Sequence, residues 1–277
     1  MRLALASMRG GAVPSGAARH ALNLAPLDAA LGGGLVRGAV HEVYAAEADD
    51  AAAAAGFVLG VATTMARAAH RNGEGRGGGV VLWLRVVRSA RLGGVTQASG
   101  WAELGGAPGH GLVGLVPDGM ALLRAAVDAL RCGALAAVVA ESHGPLRELD
   151  LTASRRLTLA AERSGVPLFL LRHDATPVPS AAQTRWQVAA APSQALPGNA
   201  PGRPSFDVTL LRQKAGPAGM DWRLEWDRDD CQFREPALPG AVVSVPVHRS
   251  ADDRGAGSGT GAADAGGGGS GTRRHAA

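Results

Sequence analysis

The sequence predicts an α/β protein whose mainly parallel sheet is flanked by helices and completed by a C-terminal antiparallel hairpin. Residues 80–84 (VVLWL) and 134–140 (ALAAVVA) are continuous apolar runs, as expected for strands that are buried on both faces. They alternate with segments of helical periodicity, which is the order of a parallel sheet with covering helices. Because aromatic residues make up only 4% of the 277 residues, alanine, valine and leucine must build the core.

The individual elements follow from capping residues and apolar spacing. An aspartate before a helix accepts hydrogen bonds from free backbone N–H groups, and a glycine after it permits the left-handed turn that ends the helix. On this basis we predict strands at 38–44, 80–84, 134–140, 168–171 and 184–189, and helices from Asp49 or Asp50 to about His70, over 118–132 between Asp118 and Gly133, and from Asp150 to Gly165.

The C-terminal part of the fold is predicted to be a hairpin with a low-complexity tail. Residues 206–211 and 222–226 alternate apolar and polar side chains, and 215–220 connects them. Residues 251–277 contain no large apolar side chain, so we expect this tail to be disordered. The predicted division of the chain is a leader at 1–20, a core at 21–190, a loop at 191–205, the hairpin at 206–228, an extension at 229–250 and the tail at 251–277.

The segment after the first predicted strand lacks every feature of a phosphate-binding loop. Such a loop, G-x-x-x-x-G-K-[ST], holds phosphates with backbone N–H groups and with its lysine. Residues 45–51 read AAEADDA, and their three carboxylates would repel a triphosphate. The single lysine of the chain, Lys214, follows glutamine rather than glycine. We therefore expect no nucleotide cofactor and no ATP-driven catalysis.

Composition and spacing argue against several other classes of protein. The net charge of +4 permits contact with nucleic acid without requiring it. Cys132 and Cys231 form no CxxC motif, which is typical of free thiols in a reducing compartment. The HE pair at 41–42 begins an HExxH pattern, but the fifth residue is Ala45, so no zinc site is predicted. The apolar stretch 51–69 is too rich in alanine and glycine to span a bilayer, and we expect a cytoplasmic protein.

Five segments, in the same order along the chain, carry a resemblance to one family. They are LDAALGGGLVRGAVHEV (27–43), VDALRCGALAAVVAE (127–141), LTASRRLTLAAERSGVPLFLLR (151–172), TRWQVAAAPS (184–193) and VTLLRQKAGPAGMDWRLEWD (208–227). With these segments, which lie between about 21 and 228, the chain resembles the ImuA group of RecA-like proteins. These are inducible-mutagenesis accessory proteins, also described as SOS-associated and cell-division-inhibitor-like. The resemblance implies that residues 21–190 form a RecA-like core.

The resemblance also implies a function in the SOS response to DNA damage. Members of the group act in mutagenesis and DNA repair by translesion synthesis, as non-catalytic accessory proteins in protein–protein assemblies. The implied partners are a Y-family-polymerase-like protein of the ImuB type, a second, error-prone replicative polymerase subunit, and RecA, with DNA touched only weakly or indirectly. Two alternatives remain open: a weak ATP-binding RecA paralogue that acts on DNA, and an inhibitor of cell division.

Particular residues follow from the same resemblance. An active RecA-type ATPase holds magnesium through an aspartate at the position of Glu141, which we interpret as a vestigial, solvated or capping carboxylate. Arg212 and Lys214 lie on the hairpin that reaches the nucleotide of a neighbouring subunit in RecA-like filaments. Separately, Arg85, Arg88 and Arg91 are open to two interpretations, a phosphate-binding helical face or an ordinary solvated one.

The hairpin carries the predicted partner-binding surface. Trp222 and Trp226 share a face, and we expect at least one of them to lie in the core. An exposed tryptophan near Arg223 and Arg234 would have the composition of an interaction hot spot. The predicted partner-binding residues are therefore Arg212, Lys214, Trp222, Arg223, Trp226 and Arg234.

Overall fold

A computed structural model of the protein describes residues 17–73, 79–94, 96–196, 198 and 200–236. The predicted tail, the part of the predicted extension after residue 236 and most of the predicted leader lie outside the described residues. The strands are β1 (Arg19–His20), β2 (Leu35–Val36), β3 (Val40–Ala45), β4 (Val80–Val86), β5 (Gly111–Val116), β6 (Leu135–His143), β7 (Leu168–His173), β8 (Thr184–Ala190), β9 (Ser205–Gln213), β10 (Met220–Asp227) and β11 (Gln232–Arg234). The α-helices are α1 (Ala25–Ala30), α2 (Ala51–Arg71), α3 (Val87–Leu92), α4 (Ala98–Glu103), α5 (Gly119–Leu130) and α6 (Leu151–Ser164).

A nine-stranded sheet in the order β11-β10-β9-β8-β3-β7-β6-β4-β5 forms the centre of the protein. Strands β8, β3, β7, β6, β4 and β5 run parallel to their neighbours, and β9, β10 and β11 continue the sheet in antiparallel pairs. The predicted fold class, a mainly parallel sheet flanked by helices and extended by an antiparallel hairpin, is confirmed.

Helices cover the sheet on both faces, with a separate apolar core under each. On one face α2 packs on residues such as Val139, Leu171 and Trp186, and on the other α5 and α6 pack on residues such as Val138 and Leu170. By length and composition the segment 48–71 that contains α2 would also pass as a membrane span, but 56% of its most apolar window is buried inside the protein. Such burial is typical of the core helix of a soluble domain.

A glycine lets the C-terminal hairpin pack closely against α2. A Cβ atom on Gly60 would lie 2.8 Å from Cζ of Phe233 and 3.0 Å from Cε3 of Trp226. The rings of Trp226 and Phe233 meet edge to face at 4.8 Å. The hairpin is therefore part of the core of the protein and not an appendage to it.

The predicted helix starts agree with the structure at α5 and α6 and differ at α2. The predicted glycine end is confirmed at α6 only, because α5 ends at Leu130 with Arg131 as its C-cap, before Gly133. Asp118 and Asp150 accept hydrogen bonds from Ala121 N–H and Ala153 N–H at 2.8 and 2.7 Å, and Gly165 ends α6 with φ of 75°. Asp50 occupies the N-cap position of α2, but its side chain makes no capping bond to that helix. It is engaged in the preceding loop instead, as described below.

Several short elements were not predicted from the sequence. Helices α3 and α4 and the paired strands β1 and β2 have too few residues for a periodic signal to accumulate. Strand β5 is as long as β3, but Gly111 and Gly114 weaken its strand signal. Strand β1 also shows that folded structure begins within the predicted leader, because Arg19 and His20 pair with Val36 and Leu35.

Candidate functional site

The loop that follows β3 uses its polar groups to hold itself in place. The Ala46 N–H donates to the carbonyl of Val188 at 2.9 Å, and the Glu47 N–H donates to Oδ2 of Asp50 at 3.1 Å. The other carboxylate oxygen of Asp50 accepts from Ala190 N–H at 2.8 Å, which ties the start of α2 to β8. A phosphate-binding loop needs its N–H groups turned towards the ligand. Here these donors are already bonded within the protein.

A pocket of about 680 Å³ opens beside this loop, at the carboxyl ends of β4, β6 and β7. In open α/β sheets this edge is the usual place for ligands. The walls are mostly alanine, leucine and tryptophan side chains. The polar and charged lining residues are Asp49, Arg85, Ser89, Thr96, Gln97, Glu141, His143 and His173.

Arg85 and Glu141 form a buried ion pair in this pocket. They are direct cross-strand partners on β4 and β6, and Nη2 of Arg85 donates to Oε1 of Glu141 at 2.7 Å. The two side chains are 6% and 4% exposed. Nη1 of Arg85 donates to the Gly94 carbonyl at 2.7 Å and to Oγ1 of Thr96 at 3.3 Å. The guanidinium therefore joins the carboxylate to the loop after α3.

Two further side chains complete the surroundings of the Glu141 carboxylate. Nε1–H of Trp83 donates to Oε2 at 2.7 Å, and Nε2 of His173 lies 3.6 Å from Oε1. Burial acts to raise the pKa of Glu141, but hydrogen bonds from His173, Arg85 and Trp83, together with the charge of Arg85, hold that pKa below its ordinary value. The group is a carboxylate at neutral pH, and both of its oxygens are engaged.

The structure corrects two interpretations made from the sequence. Glu141 is only 3% exposed, so it is neither a solvated nor a capping carboxylate. Arg85 lies on β4, whereas Arg88 and Arg91 lie on α3, so the three do not form one helical face. A signal for the pair was present in the sequence, because each charged residue directly follows an apolar run that predicts a buried parallel strand.

A second group of buried charges lies at the same edge of the sheet but on the other face. Nε of Arg185 on β8 donates to Oε2 of Glu42 on β3 at 2.7 Å. The guanidinium groups of Arg172 and Arg185 lie 6.0 and 5.8 Å from the centre of the Tyr44 ring. Burial, and then the neighbouring Glu42, raises the pKa of the Tyr44 hydroxyl. Oε1 of Glu42, the Tyr44 hydroxyl and Nε of Arg172 have no hydrogen-bond partner within the described residues.

The HE pair at 41–42 points to opposite faces of β3, as alternate strand residues must. Nδ1 of His41 lies 2.7 Å from Oγ1 of Thr184, Nε2 lies 3.0 Å from the Val36 carbonyl, and the ring stacks on Phe169. Burial lowers the pKa of His41 to about 4. Among the residues that the structure describes, no group of three or more His, Cys, Asp or Glu side chains is placed to hold a metal ion.

The six residues predicted for partner binding separate into a buried one and five at or near the surface. Trp226 is 1% exposed and donates through Nε1 to the Leu104 carbonyl at 3.0 Å. Its side chain offers no surface to a partner, and its inclusion in the predicted set was wrong. Trp222, four residues earlier, is half-buried and its ring lies 6.2 Å from that of Trp186.

The four basic residues of the predicted set differ in their neighbours. Arg223 forms two hydrogen bonds with Asp207, at 2.7 and 2.8 Å. Arg234 lies between Asp227, at 3.1 Å, and Asp230. Nη1 of Arg212 donates to the carbonyl of Ser180 at 3.3 Å. The half-buried Lys214 has no ion pair within the described part of the chain. The set is thus spread along the hairpin and does not converge on one pocket.

Comparison with known proteins identifies the family. The chain is 36% identical over 207 residues to the Protein ImuA of Caulobacter vibrioides in strains NA1000 and CB 15, covering 70% of this chain and 77% of each relative. No protein-family profile matches the chain. Among solved structures, it has a distant likeness to the RadB recombinase, with a TM-score of 0.48 and 12% identity over 76% of this chain and 96% of that one. On the strength of its curated relatives, this chain belongs to the ImuA family.

Proposed function

We propose that this protein is a non-catalytic accessory factor of damage-induced translesion DNA synthesis. It assembles with a Y-family-polymerase-like partner of the ImuB type and with an error-prone replicative polymerase subunit. Membership of the ImuA family supports this role.

The buried Arg85–Glu141 pair is the observation that carries the non-catalytic part of the proposal. A RecA-type ATPase needs an acidic group free to hold the magnesium that accompanies the nucleotide. In this protein the corresponding carboxylate is that of Glu141, which accepts hydrogen bonds from Arg85 and Trp83, each at 2.7 Å. The neighbouring loop 45–50 adds carboxylates, and its Ala46 and Glu47 N–H groups are already bonded within the protein. Binding of Mg-ATP would have to break these contacts and overcome charge repulsion.

Isothermal titration calorimetry with Mg-ATP tests this part directly. At about 50 µM protein a Kd of ~10 µM would be readily measured, and we expect no heat of binding. Micromolar binding, or ATP turnover that the Glu141→Gln variant abolishes, would instead support the ATP-binding RecA paralogue.

The hairpin β9–β10 is the surface that we propose for the polymerase-like partner. Trp222 and Arg223 lie on opposite faces of β10 near the edge of the hairpin, and the Arg223–Asp207 pair is about half exposed. Charge reversal in such an exposed pair changes association more than it changes folding. The proposal now rests on Arg212, Lys214, Trp222, Arg223 and Arg234 without Trp226.

Co-purification from DNA-damaged cells, followed by mass spectrometry, tests the partners. We expect the ImuB-type protein to be recovered with wild type. Arg223→Glu or Trp222→Ala should reduce its recovery by about tenfold, equivalent to ~1.4 kcal/mol. Arg88→Glu is the matched control, because Arg88 is exposed on α3, distant in sequence from the hairpin. Recovery of a septal protein in place of a polymerase would favour the cell-division inhibitor.

A further inference from the structure

A groove between α5 and α6 lies away from both the hairpin and the pocket at Glu141. It has a volume of about 340 Å³. We call it the α5–α6 groove, and its lining residues are Val127, Leu130, Arg131, Arg156, Leu159, Ala160, Arg163 and Ser164. None of these eight residues is aromatic or acidic.

The α6 side of the groove is a single stripe of the helix. Arg156, Leu159, Ala160 and Arg163 follow the spacing i, i+3, i+4, i+7, which places side chains on one helical face. Leu159 is 51% exposed, whereas Leu157 on the inward face is 1% exposed. An apolar pair is thus held between two arginines, and the arginines are about 10.5 Å apart along the helix axis at a rise of 1.5 Å per residue.

The charge of this groove is not neutralised by its neighbours. Arg131 has an ion pair with Asp128 at 3.0 Å, but both side chains are exposed, at 75% and 68%. Arg156 and Arg163 form no ion pair within the described residues. The other charged side chains of the two helices are Arg124 on α5 and Arg155 and Glu162 on α6. Helices α5 and α6, together with the capping residue Arg131, therefore carry five arginines and two acidic residues, and three of the arginines line the groove.

We propose that the α5–α6 groove binds an acidic amphipathic helix of a partner protein. An apolar side chain of that helix would pack on Leu159 and Val127, and carboxylates about two turns apart would pair with Arg156 and Arg163. This helix-in-groove arrangement buries Leu159 and neutralises the two arginines together. The proposal deepens the accessory function and rests on it, since an assembly factor needs more than one docking surface.

The lining favours a protein over a nucleic acid. Sequence-tolerant binding of single strands depends on aromatic side chains on which bases stack, and the α5–α6 groove has none. The apolar strip between the arginines would lie against a phosphate backbone without contributing to binding. An amphipathic helix uses both parts of the groove.

The test uses the full chain and a fluorescent synthetic helix that presents a leucine stripe flanked by glutamates. Fluorescence anisotropy should show binding of this peptide and none of its counterpart with lysine in place of glutamate. Arg156→Glu and Arg163→Glu should each weaken binding by about tenfold or more. Arg155→Glu is the matched control, because Arg155 lies on the same helix, is exposed, and does not line the groove. That variant should bind as wild type does.

The exposed Cys132, at the end of α5 next to Arg131, provides an independent footprint. Bound peptide should slow the reaction of this thiol with a maleimide, while Cys231 is buried and stays protected throughout. Equal binding of both peptides, or binding that the groove variants leave unchanged, would overturn the proposal. Absence of binding at about 1 mM peptide would do the same, as would arginine-dependent binding of a single-stranded oligonucleotide in place of the peptide. None of these measurements depends on damage-induced mutagenesis in cells or on the polymerase-like partner. The proposal for the groove can therefore fail while the proposed function stands.

Discussion

Glu141 and Glu42 make a natural comparison, because each is a buried carboxylate paired with an arginine directly across from it on a parallel neighbouring strand. The shortest N–O distance is 2.7 Å in both pairs. Glu141 has both oxygens hydrogen-bonded, and its Arg85 partner is only 6% exposed. Oε1 of Glu42 has no hydrogen-bond partner among the residues that the structure describes, and the Arg185 partner of Glu42 is 12% exposed.

The difference shows that cross-strand register alone does not determine how many hydrogen bonds a buried carboxylate accepts. The Glu141 carboxylate is surrounded by groups from two neighbouring strands, Trp83 and Arg85 on β4 and His173 on β7. Around Glu42 the additional groups are an aromatic ring and a second guanidinium, which supply less directed bonding. We therefore expect the first pair to be important for folding and the second to tolerate change.

Removal of the Glu141 carboxylate should have the largest effect. In Glu141→Ala, Arg85 stays buried without its counter-charge, and breaking such a pair costs about 3–5 kcal/mol. Urea denaturation should show this loss in the free energy of unfolding. Glu103→Ala, at an exposed glutamate on α4, is the control and should stay within about 0.5 kcal/mol of wild type. A loss below about 1 kcal/mol for Glu141→Ala would mean that Arg85 reaches solvent more easily than its burial indicates.

Removal of the charge alone at Glu42, by Glu42→Gln, should have a smaller effect. In Glu42→Gln the side chain keeps its shape, and Arg185 retains bonds to the Val178 carbonyl and to Oγ of Ser180. Its guanidinium is also closer to solvent, so we expect a loss of about 1–2 kcal/mol in the same urea assay. If Glu42→Gln lowers the free energy of unfolding as much as Glu141→Ala does, the hydrogen bonding of the carboxylate does not explain the difference between the two pairs.

Acid titration distinguishes the contribution of the carboxylates to stability from that of His41, the buried histidine on the same face of the sheet as Glu141. His41 has its pKa lowered from 6.5 to about 4 by burial, so the unfolded chain takes up a proton first as the pH falls. The free energy of unfolding should therefore decrease below pH 6.5, and His41 contributes at most about 1.4 kcal/mol per pH unit to this decrease until its folded form is protonated near pH 4. His20, whose pKa is also lowered to about 4 by burial, adds to the decrease over the same range.

The Glu141 carboxylate acts in a lower pH range. Its pKa is depressed in the folded state, so its contribution is fully present above the ordinary carboxyl pKa and is lost only as the pH falls through the folded value. His41→Gln should reduce the slope between pH 6.5 and 4 to the part that His20 contributes and leave the loss at lower pH unchanged. If the urea midpoint of His41→Gln changes with pH as steeply as that of wild type across this range, the acid sensitivity belongs to other groups.

The smallest effect is expected from the tail, which lies outside the described residues. Truncation after Ser250 removes only small and polar side chains, so neither ion pair should be affected. The melting temperature should stay within about 1 °C of that of the full chain. A decrease of several degrees would show that the tail packs on the folded part.

Local sequence patterns were sufficient to predict the parallel strands, the long helices and the C-terminal hairpin. Continuous apolar runs, the aspartate caps of α5 and α6 and the glycine at the end of α6 all act through neighbours in sequence, which is why they can be read from it. The missing phosphate-binding motif is likewise a property of the sequence itself. Helices α3 and α4 were not predicted because six residues carry little periodic signal, and strand β5 was not predicted because two of its six residues are glycines.

Only the tertiary structure determined what surrounds each charged residue. The sequence placed Glu141 at the end of a strand, but its partners Trp83, Arg85 and His173 come from strands that are adjacent in space and distant in sequence. In the same way, the alternation of the hairpin placed Trp222 and Trp226 on one face, and only the packing of Gly60 against Phe233 and Trp226 decided which tryptophan is buried. Secondary structure depends on local backbone preferences, whereas burial and ion pairing depend on which elements pack together, and that is set by the whole chain.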